Sequence, residues 1–445
     1  MSQTHTNPGQ RRQRPPEGIR INMRRHGFGL AVVVALLTPA AAFADAVTYW
    51  NEKAATPITK AGGGPLQARV SAMVQIAVHD ALNAIEPRYQ TYSALPPANP
   101  LASREAAIAR ATRDVLFGAV PAMDKVAFDQ EYNLYVDGLH AGCDPALTNC
   151  VEVGEAAGAA AAAAILRARA LDGSENPHRP YTLAPGPGVY QPTKAATPTT
   201  PAVELGGWGE VKTFALGNAR QFFPGRAQML DVATPEYAAD YNEVKNVGSF
   251  AVRNAAPDSE QSRIARFWPN GGRDYNAIVR TIINAYPDRD LLDNAQLFAL
   301  VNMATADASI ATFTVKYHYL FWRPVTAIRW GEEGNPATSH SPEDATWTSY
   351  ITTPGYPDYT CGLPTLVGAS TGMLRAYFGT DDIAFAHTAS GMTRQYASLS
   401  QAADEAISAR VYGGIHFRTG CVRAVEQAED VANFIHATQL KPLDD

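Results

Sequence analysis

From Leu291 to about Trp322 the chain reads as one long helical run that closes near Pro324. A proline there ends a helix, because its ring clashes with the preceding turn and its nitrogen carries no proton. Around this run, helical spacing recurs and strand alternation does not. Ala72, Ile76, Ala77, Asp80 and Ala84 fall on such a spacing within residues 65–86, which Pro87 stops. No internal repeat is visible and no segment reads convincingly as a strand. The expected fold class is therefore all-α: a helical bundle, or two bundles side by side, with long irregular loops.

The remaining helices are expected over 102–138 (two, broken near Pro121), 150–171, 237–253, 258–268, 365–378, about 382–418 with breaks, and 422–438. Ala156 to Ala164 is alanine-rich, which leaves room for close helix contact. Residues 172–236 show no period, and Pro, Gly and Thr crowd Asn176 to Pro201. Long structureless stretches of this kind often serve as covers or wrapping arms. A second irregular stretch occupies 331–364.

The first 44 residues stand apart from this pattern. Met1 to Asn22 is polar and rich in Arg, Pro and Gln, and Met23 then opens a different register. Arg24-Arg25, the apolar run Leu30 to Leu37 and the small-x-small triplet Ala42-Phe43-Ala44 read as a secretory signal cut before Asp45. The apolar run is shorter than the ~20 residues a membrane-spanning helix needs. No later segment reads as long and apolar enough to span a bilayer. The expected organisation is a leader and signal peptide over 1–44 and one helical domain over 45–445, with a periplasmic or secreted location. A net charge of −6 gives no reason to expect nucleic-acid binding.

An oxidising compartment permits disulfides. Cys143 and Cys150 flank Asp-Pro-Ala-Leu-Thr-Asn, so a local bridge closing that loop is expected. Their spacing fits no common zinc site.

Two segments carry chemistry. Lys316 to Pro324 reads Lys-Tyr-His-Tyr-Leu-Phe-Trp-Arg-Pro. On a continuous helix Lys316 and Arg323, two turns apart, would project from one face. Two cations set among aromatic residues, with no acid between them, make sense when they converge on an anion. The other reading is a solvated basic face. Ala409 to Gly420 places Arg410 six residues before His416, with Gly413-Gly414 between them to allow close backbone approach or positive φ.

The pattern Lys-x6-Arg-Pro followed by Arg-x5-His resembles the signature shared by the vanadium-dependent haloperoxidases and the type 2 phosphatidic acid phosphatases. The wider chain is similar to the bacterial haloperoxidase-like branch. The supporting segments are His79 to Ile85, Trp208 to Val211, Tyr237 to Lys245, Ile264 to Trp268 and Arg410 to Phe417, which together span most of 46–436. The resemblance implies that 291–438 carries an oxyanion site. Lys316, Arg323 and Arg410 would neutralise the oxygens, Arg by paired hydrogen bonds. His416 would be the metal ligand or the phosphate nucleophile. The Gly362 amide and Cys361 would complete the cradle. Vanadate is the implied cofactor, with phosphate as the alternative occupant. Hydrogen peroxide and a halide, or an organic substrate, are the implied partners.

The chain departs from that pattern at the Pro-Ser-Gly-His motif. Here the matching stretch is Thr360-Cys361-Gly362-Leu363. Leu363 stands where the family carries an acid/base histidine, and leucine moves no proton. Losing a positioned acid/base costs about 10²–10⁴ in rate. Three readings follow: a haloperoxidase taking its proton relay from His318, His340 or His387; a divergent enzyme such as a phosphoester hydrolase; or a non-catalytic oxyanion binder. By the same resemblance His416 approaches the Cys361 loop, so a Cys361–Cys421 bridge is one expectation. A reactive thiolate and two buried thiols are the others.

The remaining candidates read as structural. His79-Asp80 is expected to brace helices. Asp307 would brace a cation of the site or cap a neighbouring helix. Asp358 lies close to the cradle and would accept a hydrogen bond from a basic ligand. Phe321 and Trp322 read as core. Gly368-Ala369-Ser370-Thr371-Gly372 matches the letters of a nucleophile elbow but falls within an expected helix. Rossmann and Walker glycine patterns are absent from the sequence.

Overall fold

A computed structural model describes residues 45–443 apart from 199, 269–270, 287 and 331–343. The expected leader and signal peptide lie outside the described residues. Five helices come first: α1 (Ala46–Ile58), α2 (Gly64–Ile85), α3 (Arg104–Ala119), α4 (Lys125–Asp137) and α5 (Cys150–Ala168). Asp45, Ser103 and Asp124 cap α1, α3 and α4 by accepting backbone amides, which satisfies donors that a helix start leaves without partners. Cys143 and Cys150 are disulfide-bonded. The α3–α5 contact is close enough that a β-carbon on Gly158 would sit 2.3 Å from the Ala107 carbonyl.

The second half contains α6 (Pro235–Val247), α7 (Phe250–Ala255), α8 (Glu260–Phe267), α9 (Gly271–Asn284), α10 (Leu291–Tyr319), α11 (Pro324–Trp330), α12 (Gly362–Phe378), α13 (Leu399–Tyr412) and α14 (Arg418–Thr438). Helix α9 is not among the helices expected from the sequence, and where broken helix is expected over 382–418, β1 (Phe385–Ala389) and β2 (Met392–Tyr396) form an antiparallel hairpin with Phe385 opposite Tyr396. Ser390 and Gly391 turn it with positive φ at both positions, the geometry that two-residue hairpin loops require.

Helix α10 is the axis of the molecule, packing on α2 at one side and on α12 and α14 at the other. It is buried all round. This corrects an expectation: by length and composition α10 is long and apolar enough to cross a membrane, with a mean hydropathy of 1.3 in its most apolar window, but 94% of that window is buried inside the protein. A helix apolar on every face is a core helix or a membrane span, and here surrounding chain covers it.

Among its described residues, the irregular arm from 172 to the start of α6 holds only short 3₁₀ turns at Trp208–Glu210 and Gln228–Leu230. Asp307 of α10 anchors it by accepting the amides of Phe214, Ala215 and Leu216 at 2.6, 2.8 and 2.9 Å. Asp307 therefore does neither of the two things expected of it. Burial pushes its carboxyl up to about 6, against the pull of those three amides. Further along the arm, Tyr190 donates to the Leu320 carbonyl at 2.8 Å and Trp322 donates back to Gly188 at 3.1 Å. That short ladder holds the segment leaving α10.

Candidate oxyanion site

The site is assembled where that segment, the loop before α12 and the α13–α14 connection meet. Helix α10 ends at Tyr319, and Leu320 takes a left-handed conformation with φ 52°. Arg323 is thus not on the helix that carries Lys316, which corrects the expectation of one shared face. It follows an extended stretch, and its carbonyl accepts the first amides of α11, from Thr326 and Ala327 at 3.0 Å each. The two cations converge because the chain turns between them.

Lys316 is fully buried and donates from Nζ to the carbonyls of Pro357 (3.0 Å) and Asp358 (2.9 Å). Arg323, also fully buried, donates from Nε to the Tyr356 carbonyl and from Nη1 to the Ile415 carbonyl, both at 2.7 Å. Its Nη1 lies 3.0 Å from Nε2 of His416, and its Nη2 has no partner. The two side chains therefore clamp the 356–358 loop and hold the His416 strand beside it.

His416 is placed by its glycines. Gly414 has φ 75°, and a β-carbon there would sit 2.0 Å from the Gly248 carbonyl. Only glycine fits that approach. Asp358 Oδ1 comes within 2.7 Å of His416 Nδ1 and 3.7 Å of Arg323 Nη1. Neither carboxylate oxygen has an aligned hydrogen-bond partner among the described residues, so Asp358 lies against both groups without a formed hydrogen bond. Arg410, in the last turn of α13, donates from Nη2 to the Trp268 carbonyl.

Burial governs the electrostatics here. It pushes Lys316 well below the usual lysine range, with Arg323 adding to the push and Asp358 opposing it. It pushes His416 well down as well, helped by Arg323, Lys316 and Arg410, so the imidazole is neutral. Asp358 is raised to about 7 by burial, against Arg323 and Lys316. Buried basic groups crowded together, with their protonated forms disfavoured, are what an anion would relieve.

A cavity of about 840 Å³ opens onto this cluster, with Arg410, His416, Tyr356, Gly362 and Leu363 among its walls. Gly362 and Leu363 begin α12, and no side chain caps that end. Their amides have no partner among the described residues, and a helix start favours negative charge. Arg323 Nη2 and these two amides are donors in want of an acceptor. The donor set therefore fits vanadate or phosphate.

Two expectations need correction. Cys361 was expected to help bind the anion, but its sulfur is bonded to Cys421 and its amide donates to the Gly420 carbonyl at 3.1 Å. Residue 361 thus has no donor left. Cys361, His416 and Cys421 do lie close together, but two sulfurs bonded to each other are not thiolate ligands. The proposed relay histidines also fail to reach the cavity. His318 is exposed and sits edge-on to Phe223 at 5.1 Å, and His387 lines a separate cavity beside α1 and α4. His340 lies outside the described residues. Among the described residues, His416 is the only histidine lining the site. Tyr356, which also lines the cavity, is not among the site residues that the sequence points to.

Several structural assignments stand as read. Gly368 and Gly372 pack α12 on α14, whereas Asp80, expected with His79 to brace helices, instead holds a loop by accepting the amides of Tyr92 and Ser93 at 2.9 and 2.7 Å. Phe321 and Trp322 are buried with Tyr237 and Phe417.

These features define an all-helical protein with a buried cationic pocket beside a cavity. Residues 296–444 match the family described as the VCPO second helical-bundle domain. Vanadium chloroperoxidase of Curvularia inaequalis is 30% identical over 165 residues, which is 32% of this chain and 27% of that protein; the match thus spans about a quarter of the curated relative's length. Among solved structures, the first bacterial vanadium-dependent iodoperoxidase superposes with a TM-score of 0.74 at 23% identity, covering 89% of this chain and 97% of that one. A holo-type bacterial vanadium-dependent chloroperoxidase gives 0.65 at 18% identity, covering 86% and 92%. Residues 296–444 thus carry the second helical-bundle domain of that family, and the chain has the helical fold of the bacterial vanadium haloperoxidases.

Proposed function

We propose that this chain holds vanadate at His416 and oxidises halide with hydrogen peroxide. The observation that carries the reading is the convergence of Lys316, Arg323 and neutral His416 behind a cavity walled by Arg410 and the free amide of Gly362. Vanadate, when bound, would supply the Lewis-acid centre that activates peroxide. The chain's own residues do the rest. Arg323 and Arg410 would neutralise oxygens, Lys316 would add its charge once an anion restores its proton, and Gly362 would donate from its amide. Asp358 lies against Nδ1, so Nε2, which sits beside Arg323 Nη1, is the nitrogen that would hold the guest. Export to the periplasm or beyond fits the leader pattern and the two disulfides.

Leu363 favours a second reading. It lines the cavity at the position where the family motif carries histidine, so a phosphatase-like or non-catalytic oxyanion binder is the alternative. One experiment separates the two. Wild type and Leu363→His are loaded with orthovanadate and assayed for bromide and iodide oxidation. Turnover by wild type supports the haloperoxidase reading. Turnover by Leu363→His alone supports the non-catalytic binder, and no vanadate binding by either rejects the site assignment.

A further inference from the structure

The cavity lacks an acid at residue 363, but it does not lack a protic group. Tyr356 is in its wall. A β-carbon built on Gly362 would point into space whose nearest atom, at 3.8 Å, is the Tyr356 hydroxyl oxygen, with no other residue beyond its chain neighbours within 4 Å. The unpartnered amide and the phenol thus border the same small volume. The ring is fixed around that volume: Arg323 Nε binds the Tyr356 carbonyl at 2.7 Å, the Lys316 ammonium lies 5.1 Å from the ring centroid, the Arg323 guanidinium lies 5.0 Å from it, and Phe313 packs edge-on at 5.2 Å. Among the described residues the hydroxyl donates no hydrogen bond to a protein acceptor.

We infer that the Tyr356 hydroxyl is a binding group of this cavity, donating a hydrogen bond to an oxygen of the oxyanion seated on the Gly362 amide. This rests on the oxyanion reading above and adds to it a neutral donor that the haloperoxidase motif does not specify. Burial raises the phenol above its ordinary value even though Arg323 and Arg410 pull the other way, so at neutral pH it carries its proton and can donate. Histidine at 363 would titrate near neutrality, whereas a phenol does not. Anion binding through Tyr356 should then hold up to alkaline pH.

The test uses orthophosphate as the probe and titration calorimetry as the readout, on wild type, Tyr356→Phe and Arg323→Ala. Phenylalanine keeps the ring, its packing and its contact with both cations. A hydrogen bond to a charged partner is worth roughly a ten- to hundredfold change in affinity. Tyr356→Phe should raise the phosphate Kd by that factor and leave the melting temperature of the free protein unchanged. If wild type binds phosphate and Tyr356→Phe binds it equally well, the inference is overturned and Tyr356 is only a wall. If wild type and Arg323→Ala both fail to bind phosphate or vanadate, the oxyanion reading falls and takes this inference with it. Should Tyr356→Phe fold poorly, alkaline difference spectra of wild type decide. Phosphate is expected to delay the ionisation of one tyrosine, and identical curves with and without phosphate would overturn the role.

Discussion

Asp358 sets Oδ1 2.7 Å from Nδ1 of His416, with both side chains almost sealed from solvent. Burial drives the two in opposite directions, Asp358 up to about 7 and His416 well below its usual range. Near pH 7 the imidazole is neutral and the carboxyl is about half ionised. The charge of the pocket is therefore set by the guanidinium groups of Arg323 and Arg410 and by the protonation of Lys316 and Asp358.

This gives a pH dependence with a definite sign. Below about 7 Asp358 is mostly protonated and the pocket is more positive; above it a carboxylate opposes the guest. Sulfate is a suitable probe because its own charge is constant in this range. Sulfate affinity should fall as pH rises through 7, and Asp358→Asn should bind with a flatter profile. Calorimetric Kd values from pH 5.5 to 8.5 check it, and a wild-type profile as flat as that of the variant would contradict it.

Lys316 predicts proton uptake on binding. Burial and Arg323 push the free-state ammonium well below its ordinary range, and an anion beside it would raise it again. At pH 8 sulfate or vanadate binding should take up protons, seen as a dependence of the calorimetric enthalpy on buffer ionisation. Lys316→Met should lower affinity and abolish most of that dependence.

The two glycines of the site should behave differently on substitution. Gly362→Ala meets only the Tyr356 hydroxyl at 3.8 Å, so the protein should fold with its normal melting temperature while binding oxyanion more weakly. Gly414→Ala would place a β-carbon 2.0 Å from the Gly248 carbonyl at a φ of 75°. It should destabilise by more than about 1 kcal/mol, which denaturant unfolding would measure.

The Cys361–Cys421 bond joins the residue before the Gly362 amide to α14, across a sequence separation of 60. Closing a loop of that length contributes about 4 kcal/mol on the chain-entropy account, and commonly less. Cys361→Ser with Cys421→Ser should lower the denaturation midpoint. It should also weaken vanadate binding by loosening the cradle. Equal affinity in the double variant would show that the clamp by Lys316 and Arg323 positions the loop unaided.

Residue patterns alone carried much of this description. Periodicity placed most of the helices, because burial of an apolar stripe is written at helical spacing wherever a helix faces a core. It also marked 172–236 as an irregular arm. The resemblance of the Lys316–Arg323 and Arg410–His416 segments to the haloperoxidase signature, with Gly362 between them, pointed to the residues that surround one buried pocket. What the sequence could not decide is how they meet. The α10 helix ends three residues after Lys316, and a left-handed Leu320 redirects Arg323, a break set by pairing with the distant Gly188–Tyr190 segment. The hairpin at 385–396 was hidden for the same kind of reason, since short strands are stabilised by a partner strand and a packing surface. Tyr356 was unremarkable in the sequence because a wall residue is defined by what lies opposite it. Local preference is encoded residue by residue, whereas a pocket is a relation between chain segments far apart, and only tertiary packing decides that relation.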